Sequence, residues 1–418
     1  MGVLTSRLVT RLSPPRGAIA DHAAAVVGAA SCAAVLAWLG LGAGFHFTDY
    51  DWEASRAFWA LRTGDLGAFV SLAPAYGGSL VLRAPFAWLT ALWGGGELAV
   101  YRAVSLPGLL ACVLLAVVVL GRMRSLGRSR LDRAVVLVAL AASPMGLRAL
   151  EFGHAEELLG GALCVAALLS ATSRPLLAGV LVGLAVANKP WALVAVPVVL
   201  AAVPDLRTVR TALVAGAVAL LVVSPLLLFG GSFVENTATA SSTGDIFHPW
   251  QVWWFLGDGG SMLGQPGPGG LLLRRPPEWL MPLTRPVVLA VPILLAAVWW
   301  WRRRAGAGVD PGAALLLLAL VLHLRCLLDP WNVGYYALPA LLALATWEGL
   351  YRTDRPPVLT LASVALNWLT FETLFAHAGA DVLSLAYLAW ALPLAGWMAH
   401  ELFGSSIRPG AVSTSSMS

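Results

Sequence analysis

Charge is scarce in this chain. Only 12% of its 418 residues are Asp, Glu, Lys or Arg, while 59% are hydrophobic, and the mean hydropathy is +0.78. A soluble domain carries about a quarter charged residues, so the deficit argues against a water-soluble globule. Lysine is almost missing: of 27 basic residues only Lys189 is a lysine, and the rest are arginines. The net charge of +5 is therefore read by position along the chain and not as a nucleic-acid-binding face. Cysteine is sparse too. Cys32, Cys112, Cys164 and Cys326 lie in or beside apolar runs without CxxC spacing, which argues against a disulfide framework and a zinc site.

What the chain has in abundance is apolar sequence. Runs recur at residues 23–43, 101–121, 134–150, 155–171, 175–188, 191–203, 211–230, 286–301, 312–328, 334–347, 357–375 and 383–400. Stretches of about 20 apolar residues need lipid around them, so the expected fold class is an all-α polytopic membrane protein with about 12 transmembrane helices. Residues 1–418 read as one integral membrane domain. The first run follows Arg7, Arg11 and Arg16 and is too long for a signal-peptide core, so it reads as a retained first helix. The stretch "SLVLRAPFAWLTALW" (79–93) is broken by Arg83 and Pro85 and reads as a membrane-surface or re-entrant segment.

Threading the runs alternately with the N-terminus inside places 17 of the 27 basic residues on the cytoplasmic side, as the positive-inside rule requires. The two long loops, 44–100 and 231–285, then lie outside. Most acidic residues fall on that same side, together with Lys189. Chemistry-capable groups gathered at one face place the work there.

The first outer loop holds "HFTDYDWEASRAFWALRTGDL". It reads as a surface helix anchored by Trp52, Phe58, Trp59 and Leu61. Asp49 and Asp51 stand before it, either as helix caps or as a general base. His154, Glu156 and Glu157 open the helix of the fourth run, where the carboxylates favour the helix N-terminus, or orient ligand hydroxyls or ligate a cation. Asp329-Pro330 has the pattern of an N-cap followed by Pro at the first helical position. Arg325 and His323 lie near the end of an apolar helix. His248 precedes Trp250, Trp253 and Trp254, a pattern expected of an interfacial aromatic belt or of a surface on which a ligand stacks. "LGQPGPGG" (263–270) reads as a flexible loop that orders on substrate binding.

The pattern Asp51, Ala57 and Gly64-Asp65 after the first span resembles the first-loop signature of the polyprenyl-phosphate-mannose-dependent alpha-mannosyltransferases, glycosyltransferase family 87 of the C-type superfamily. "GHAEELLGGALCVAALLSATSRPLLAGVLVGLAVANKPWALVAVP" and "LRCLLDPWNVGYYALPALLAL" resemble that family in turn, so that the likeness runs over residues 44–350 in order of elements. It departs at "GHAEE", where the family more often shows Gln and Asn. The resemblance implies an inverting transfer of a sugar, mannose first, from a polyprenyl-phosphate carrier to a hydroxyl of an extracytoplasmic glycolipid or glycan. It implies no cofactor, with a divalent metal left open, and a multi-pass protein of the bacterial plasma (inner) membrane with lipid as partner and no nucleic acid. Asp51, or Asp49 two residues away, is then the base, aided by His323. Lys189 and Arg325 hold the leaving phosphate. His154, Glu156, Glu157, His248, Trp250, Asp329 and Tyr335 bind substrate. A lipid-linked sugar flippase or secondary transporter is the competing expectation, but such proteins place polar sites at the bilayer midplane in repeated halves, and no repeat is visible.

Overall fold

The computed structural model describes residues 16–42, 48–92, 94–242, 246–263, 272–304 and 309–404. The chain opens with α1 (Arg16–Gly40). Three short helices follow, α2 (Thr48–Glu53), α3 (Ser55–Arg62) and α4 (Leu66–Ser71), then α5 (Gly77–Leu89) and the long α6 (Glu97–Ser125). Next come α7 (Arg130–Ala141), α8 (Pro144–Glu151), α9 (Ala155–Ala171), α10 (Pro175–Asn188), α11 (Val196–Ala202), α12 (Asp205–Phe229) and α13 (Gly231–Ser242). An antiparallel pair, β1 (Asp258–Leu263) and β2 (Leu273–Arg275), interrupts the helices. The chain ends with α14 (Met281–Arg304), α15 (Pro311–Leu328), α16 (Leu338–Tyr351), α17 (Val358–Trp368) and α18 (Ala380–Phe403).

Among the described residues seven stretches are long and apolar enough to cross a membrane: Asp21–Gly40, Glu97–Ser125, Arg130–Glu151, Asp205–Phe229, Met281–Arg304, Pro311–Leu328 and Ala380–Phe403. The chain is a helical, polytopic membrane protein. The expected count of about twelve is not reached on length, because the other five apolar runs form shorter helices. The longest of them, α9, has 17 residues and reaches roughly 26 Å at 1.5 Å per residue, less than the ~30 Å hydrocarbon core.

Burial sorts the helices into layers. Helix α15 is mostly buried inside the protein, whereas α12 is mostly exposed on its outside. Helices α9, α15 and α16 form the centre and pack on one another, while α12 leaves most of its apolar surface outward. In water that surface would be a liability, and in lipid it is the expected solvent face. Local signals set several helix starts. Ser129 accepts the Asp132 N–H at 3.0 Å, Asp310 accepts that of Gly312 at 2.8 Å, and Asp65 accepts that of Ala68 at 2.8 Å, satisfying donors that the first turn leaves free.

The basic turns collect at one end of the bundle. Arg128 donates to the carbonyls of Arg352 (3.2 Å) and Arg355 (3.0 Å), and Arg303 pairs with Asp205 at 2.8 Å. The other end carries the start of α9 and the ends of α10 and α15.

Two expectations change here. Residues 79–93 are not a plain surface segment: α5 carries Pro85 inside it, buries Leu80, Arg83 and Ala87, and packs against α3, α6, α10 and α12. In the first loop Trp52 and Trp59 remain exposed, but Phe58 and Leu61 turn into the protein core. The 263–270 loop, apart from Leu263, lies outside the described residues, as do His46 and Asp245.

Candidate active site

His154 stands at the turn between α8 and α9. Gly153 makes that turn with φ +89°, and a Cβ there would sit 2.5 Å from the backbone N of Tyr50. Only glycine meets both conditions. The close approach lays α2 across the turn, where the Asp49 N–H donates to the Phe152 carbonyl at 3.3 Å. Asp49 Oδ2 then lies 2.8 Å from His154 Nε2, and His154 Nδ1 lies 2.6 Å from Glu156 Oε1.

The chain of contacts continues inward. Lys189 Nζ is 3.0 Å from Oε1 of both Glu156 and Glu157. Arg83 Nη2 is 3.5 Å from Glu156 Oε2, and Arg325 Nη1 is 3.9 Å from Glu157 Oε2. Trp191 donates its indole N–H to Glu157 Oε1 at 3.1 Å, and Asn188 donates to the Glu156 carbonyl at 2.8 Å. The two glutamates are fully buried. Such carboxylates persist in a protein interior only when paired, and each has a cation. Aromatic faces complete the walls: Tyr335 lies 4.7 Å from the His154 ring, Tyr76 faces Lys189 at 5.1 Å, and Arg325 sits between Trp191 (4.7 Å) and Tyr336 (4.4 Å).

Electrostatics follow from this packing. For His154, burial and the Lys189 charge oppose protonation. The Glu156 carboxylate and the hydrogen bonds to Asp49 and Glu156 outweigh them, so its pKa rises from 6.5 to about 9. At neutral pH the imidazole is therefore charged. Arg83, Lys189, Arg325 and His154 then face three carboxylates, Asp49, Glu156 and Glu157, which leaves a surplus of one positive charge. Arg83 Nη1 and Arg325 Nε are buried without a hydrogen-bond partner among the described residues. Asp49 is the open end of the network, with its side chain 41% exposed.

The sequence-read candidates divide. Asp49, His154, Glu156, Glu157, Lys189, Arg325 and Tyr335 come together. Asp49 and Asp51 do not cap a helix from outside but lie within the first turn of α2, and Asp51 is exposed. His323 turns to α18, with Nε2 2.9 Å from the Ala391 carbonyl. His248 and Trp250 belong to a strap over the end of α15: His248 N–H donates to the Pro330 carbonyl (2.8 Å), and Val252 N–H to that of Leu327 (2.9 Å). Burial lowers the His248 pKa to about 4. Trp250 is buried against Phe371 at 4.7 Å and Trp254 is buried as well, so neither forms an interfacial belt. Asp329 is not an N-cap. It ends α15 and accepts the Trp331 N–H at 3.0 Å, with Arg285 3.8 Å away.

Reading by sequence missed Arg83, Tyr76, Asn188, Trp191 and Tyr336. Arg83 carried a signal, since an arginine inside an apolar run is expected to have an acidic partner. Among the described residues no group of three or more His, Cys, Asp and Glu is placed to hold a metal ion. The cations facing Glu156 and Glu157 are the protein's own.

The model of glycosyltransferase family 87 matches residues 77–330. The chain belongs to this family. The matched stretch contains Arg83, His154, Glu156, Glu157, Lys189 and Arg325, whereas Asp49 and the pattern from Asp51 to Asp65 precede it and Tyr335 follows it. No curated protein matches the chain. As a member of this glycosyltransferase family the protein is an enzyme of the membrane, acting between a sugar donor and an acceptor.

Proposed function

We propose that the enzyme moves a sugar, with mannose as the first candidate, from a polyprenyl-phosphate carrier to a hydroxyl of a glycolipid or glycan, inverting the anomeric centre. The reading places the site on the extracytoplasmic face of a bacterial inner membrane, with residues 44–100 and 231–285 on that side. The observation that carries it is the Asp49–His154–Glu156–Lys189 network, open to solvent at its carboxylate end and rich in buried cations at the other.

In this mechanism the acceptor hydroxyl approaches from the aqueous side and loses its proton to Asp49 as its oxygen bonds to the anomeric carbon. The bond from that carbon to the phosphate oxygen breaks, and the phosphate leaves toward the cations. Asp49 replaces Asp51 in the role of base because His154 holds it at the mouth of the network. His154 is a positioning residue: its imidazolium orients Oδ2 and leaves Oδ1 for the acceptor. Lys189 has three N–H donors. Glu156 and Glu157 take two, and the third serves the phosphate together with Arg325 and Arg83.

The decisive experiment offers purified enzyme a panel of polyprenyl-phosphate sugars and nucleotide sugars with a glycolipid acceptor. Transfer from polyprenyl-phosphate mannose with inversion is expected. Transfer from nucleotide sugars alone would overturn the donor assignment. The face is tested on a Cys-free background with single cysteines at Thr63 and Ser125: an impermeant reagent outside the cell should label the first and spare the second.

A further inference from the structure

We propose that a basic groove between α10 and α12 binds the phosphodiester headgroup of an anionic phospholipid. The groove has a volume of about 340 Å³ and is lined by Arg174, Pro175, Leu176, Leu177, Arg207 and Arg210. It lies at the end of the bundle opposite the carboxylate network, since Arg174 precedes α10 and Lys189 follows it. The inference rests on the membrane fold and does not depend on the transfer chemistry proposed above.

The groove is built by close packing. Gly179 lets α10 approach α12 so nearly that a Cβ there would come within 2.7 Å of the Thr211 carbonyl oxygen. Thr211 also donates its hydroxyl to the Pro175 carbonyl at 3.3 Å. The starts of the two helices therefore lie side by side. Neither start has a side-chain cap, but α12 carries Asp205 in its first turn, so the uncompensated positive end beside the groove is that of α10.

Three arginines converge on that space, and none has a carboxylate partner among the described residues. The nearest acid in sequence, Asp205, is already taken by Arg303 (2.8 Å) and Arg304 (3.5 Å) on α14. Three exposed guanidiniums without a carboxylate partner, beside the start of α10, suit a multivalent oxygen anion, and a guanidinium fork matches phosphate geometry.

The apolar surroundings select a lipid over a free ion. Leu176 and Leu177 line the groove and are exposed, and Leu213, about one turn along α12 from Arg210, is 68% exposed. Helix α12 is the least buried of the long apolar helices. A headgroup in the groove leaves its acyl chains along this surface, where a soluble anion would gain nothing.

Native mass spectrometry on the full-length enzyme in mild detergent, titrated with phosphatidylglycerol or phosphatidylcholine, tests the proposal. Wild type should retain phosphatidylglycerol in preference to phosphatidylcholine. The Arg174→Gln/Arg207→Gln/Arg210→Gln variant should lose about a hundredfold of that affinity, at about fivefold for each arginine. Arg122→Gln/Arg130→Gln/Arg355→Gln, at the same end but outside the groove, should keep it. Equal retention of both lipids, or equal loss in the two triple variants, would overturn a dedicated site. Displacement of phosphatidylglycerol by millimolar inorganic phosphate, bound as tightly as the lipid, would show an anion site and overturn the lipid assignment. Thermal melting of both variants at the wild-type temperature confirms that the fold is intact.

Discussion

Asp49 and His154 are 105 positions apart in sequence, yet their side chains meet at 2.8 Å. The contact joins the first loop to the turn before α9 and defines which of two neighbouring carboxylates stands at the mouth of the network. Asp49→Asn keeps the size of the side chain but removes proton acceptance, so transfer should fall by about a hundredfold or more. Asp51→Asn should stay close to wild type. Both are measured as donor-to-acceptor transfer at matched expression. A dead Asp51→Asn beside an active Asp49→Asn would return the base to Asp51.

The raised pKa of His154, about 9 against 6.5, also fixes a pH dependence. A histidine whose folded pKa exceeds its unfolded one contributes stability fully below the unfolded value. That contribution is lost as pH rises through the folded value. The melting temperature of wild type should therefore exceed that of His154→Gln most at pH 6, and the gap should close between about pH 6.5 and 9. A gap that widens with pH would mean that the imidazole is held neutral.

Much of the fold was legible in composition alone. All twelve apolar runs fold largely as helix, and α10 stops before Pro190, with Lys189 extended at φ −156°. The gathering of polar groups at one end was legible for the same reason: charges are too costly along lipid-facing spans. What the sequence could not show was tertiary pairing. Arg83 reads as an interruption of a run until Glu156, distant in sequence, is seen 3.5 Å away. Asp49 and Asp51 are equivalent by type, and residues two apart on a helix face different sides, so the choice depends on how α2 is laid on Gly153. A tryptophan near a span end satisfies both an interface and a core, and Trp250 took the core. Asp329 ends one helix where the Asp-Pro pattern favours starting another, because the chain turns through residues 329–333 before it coils again.

Gly153→Ala tests how the network is positioned. The turn needs φ +89°, and the added methyl would meet the Tyr50 backbone at 2.5 Å. Strain of roughly 1–3 kcal/mol is expected from the backbone alone, and relief of the clash must lift α2. The variant should lose transfer nearly as severely as Asp49→Asn, with less effect on donor binding, because Lys189 and Arg325 remain in place. Wild-type turnover would show that Asp49 need not sit against His154.

Lys189 has two roles that one substitution cannot separate. It neutralises Glu156 and Glu157, each at 3.0 Å and each fully buried, and it is the proposed ligand of the leaving phosphate. Removing one partner of a buried ion network leaves an uncompensated charge and costs about 3–5 kcal/mol, so Lys189→Met should lower the folded yield and the melting temperature sharply. Adding Glu157→Gln removes one of the stranded charges and should restore part of that stability. Restored folding does not restore a phosphate ligand. The double variant should therefore fold better than Lys189→Met while its donor KM stays about tenfold or more above that of the Glu157→Gln single variant. Lys189→Arg keeps the charge but spreads it over a planar fork that does not reproduce the two contacts, so it should retain donor binding in part. A double variant that binds donor as tightly as Glu157→Gln alone would reduce Lys189 to a counter-ion for the two carboxylates, and the phosphate would then belong to Arg83 and Arg325.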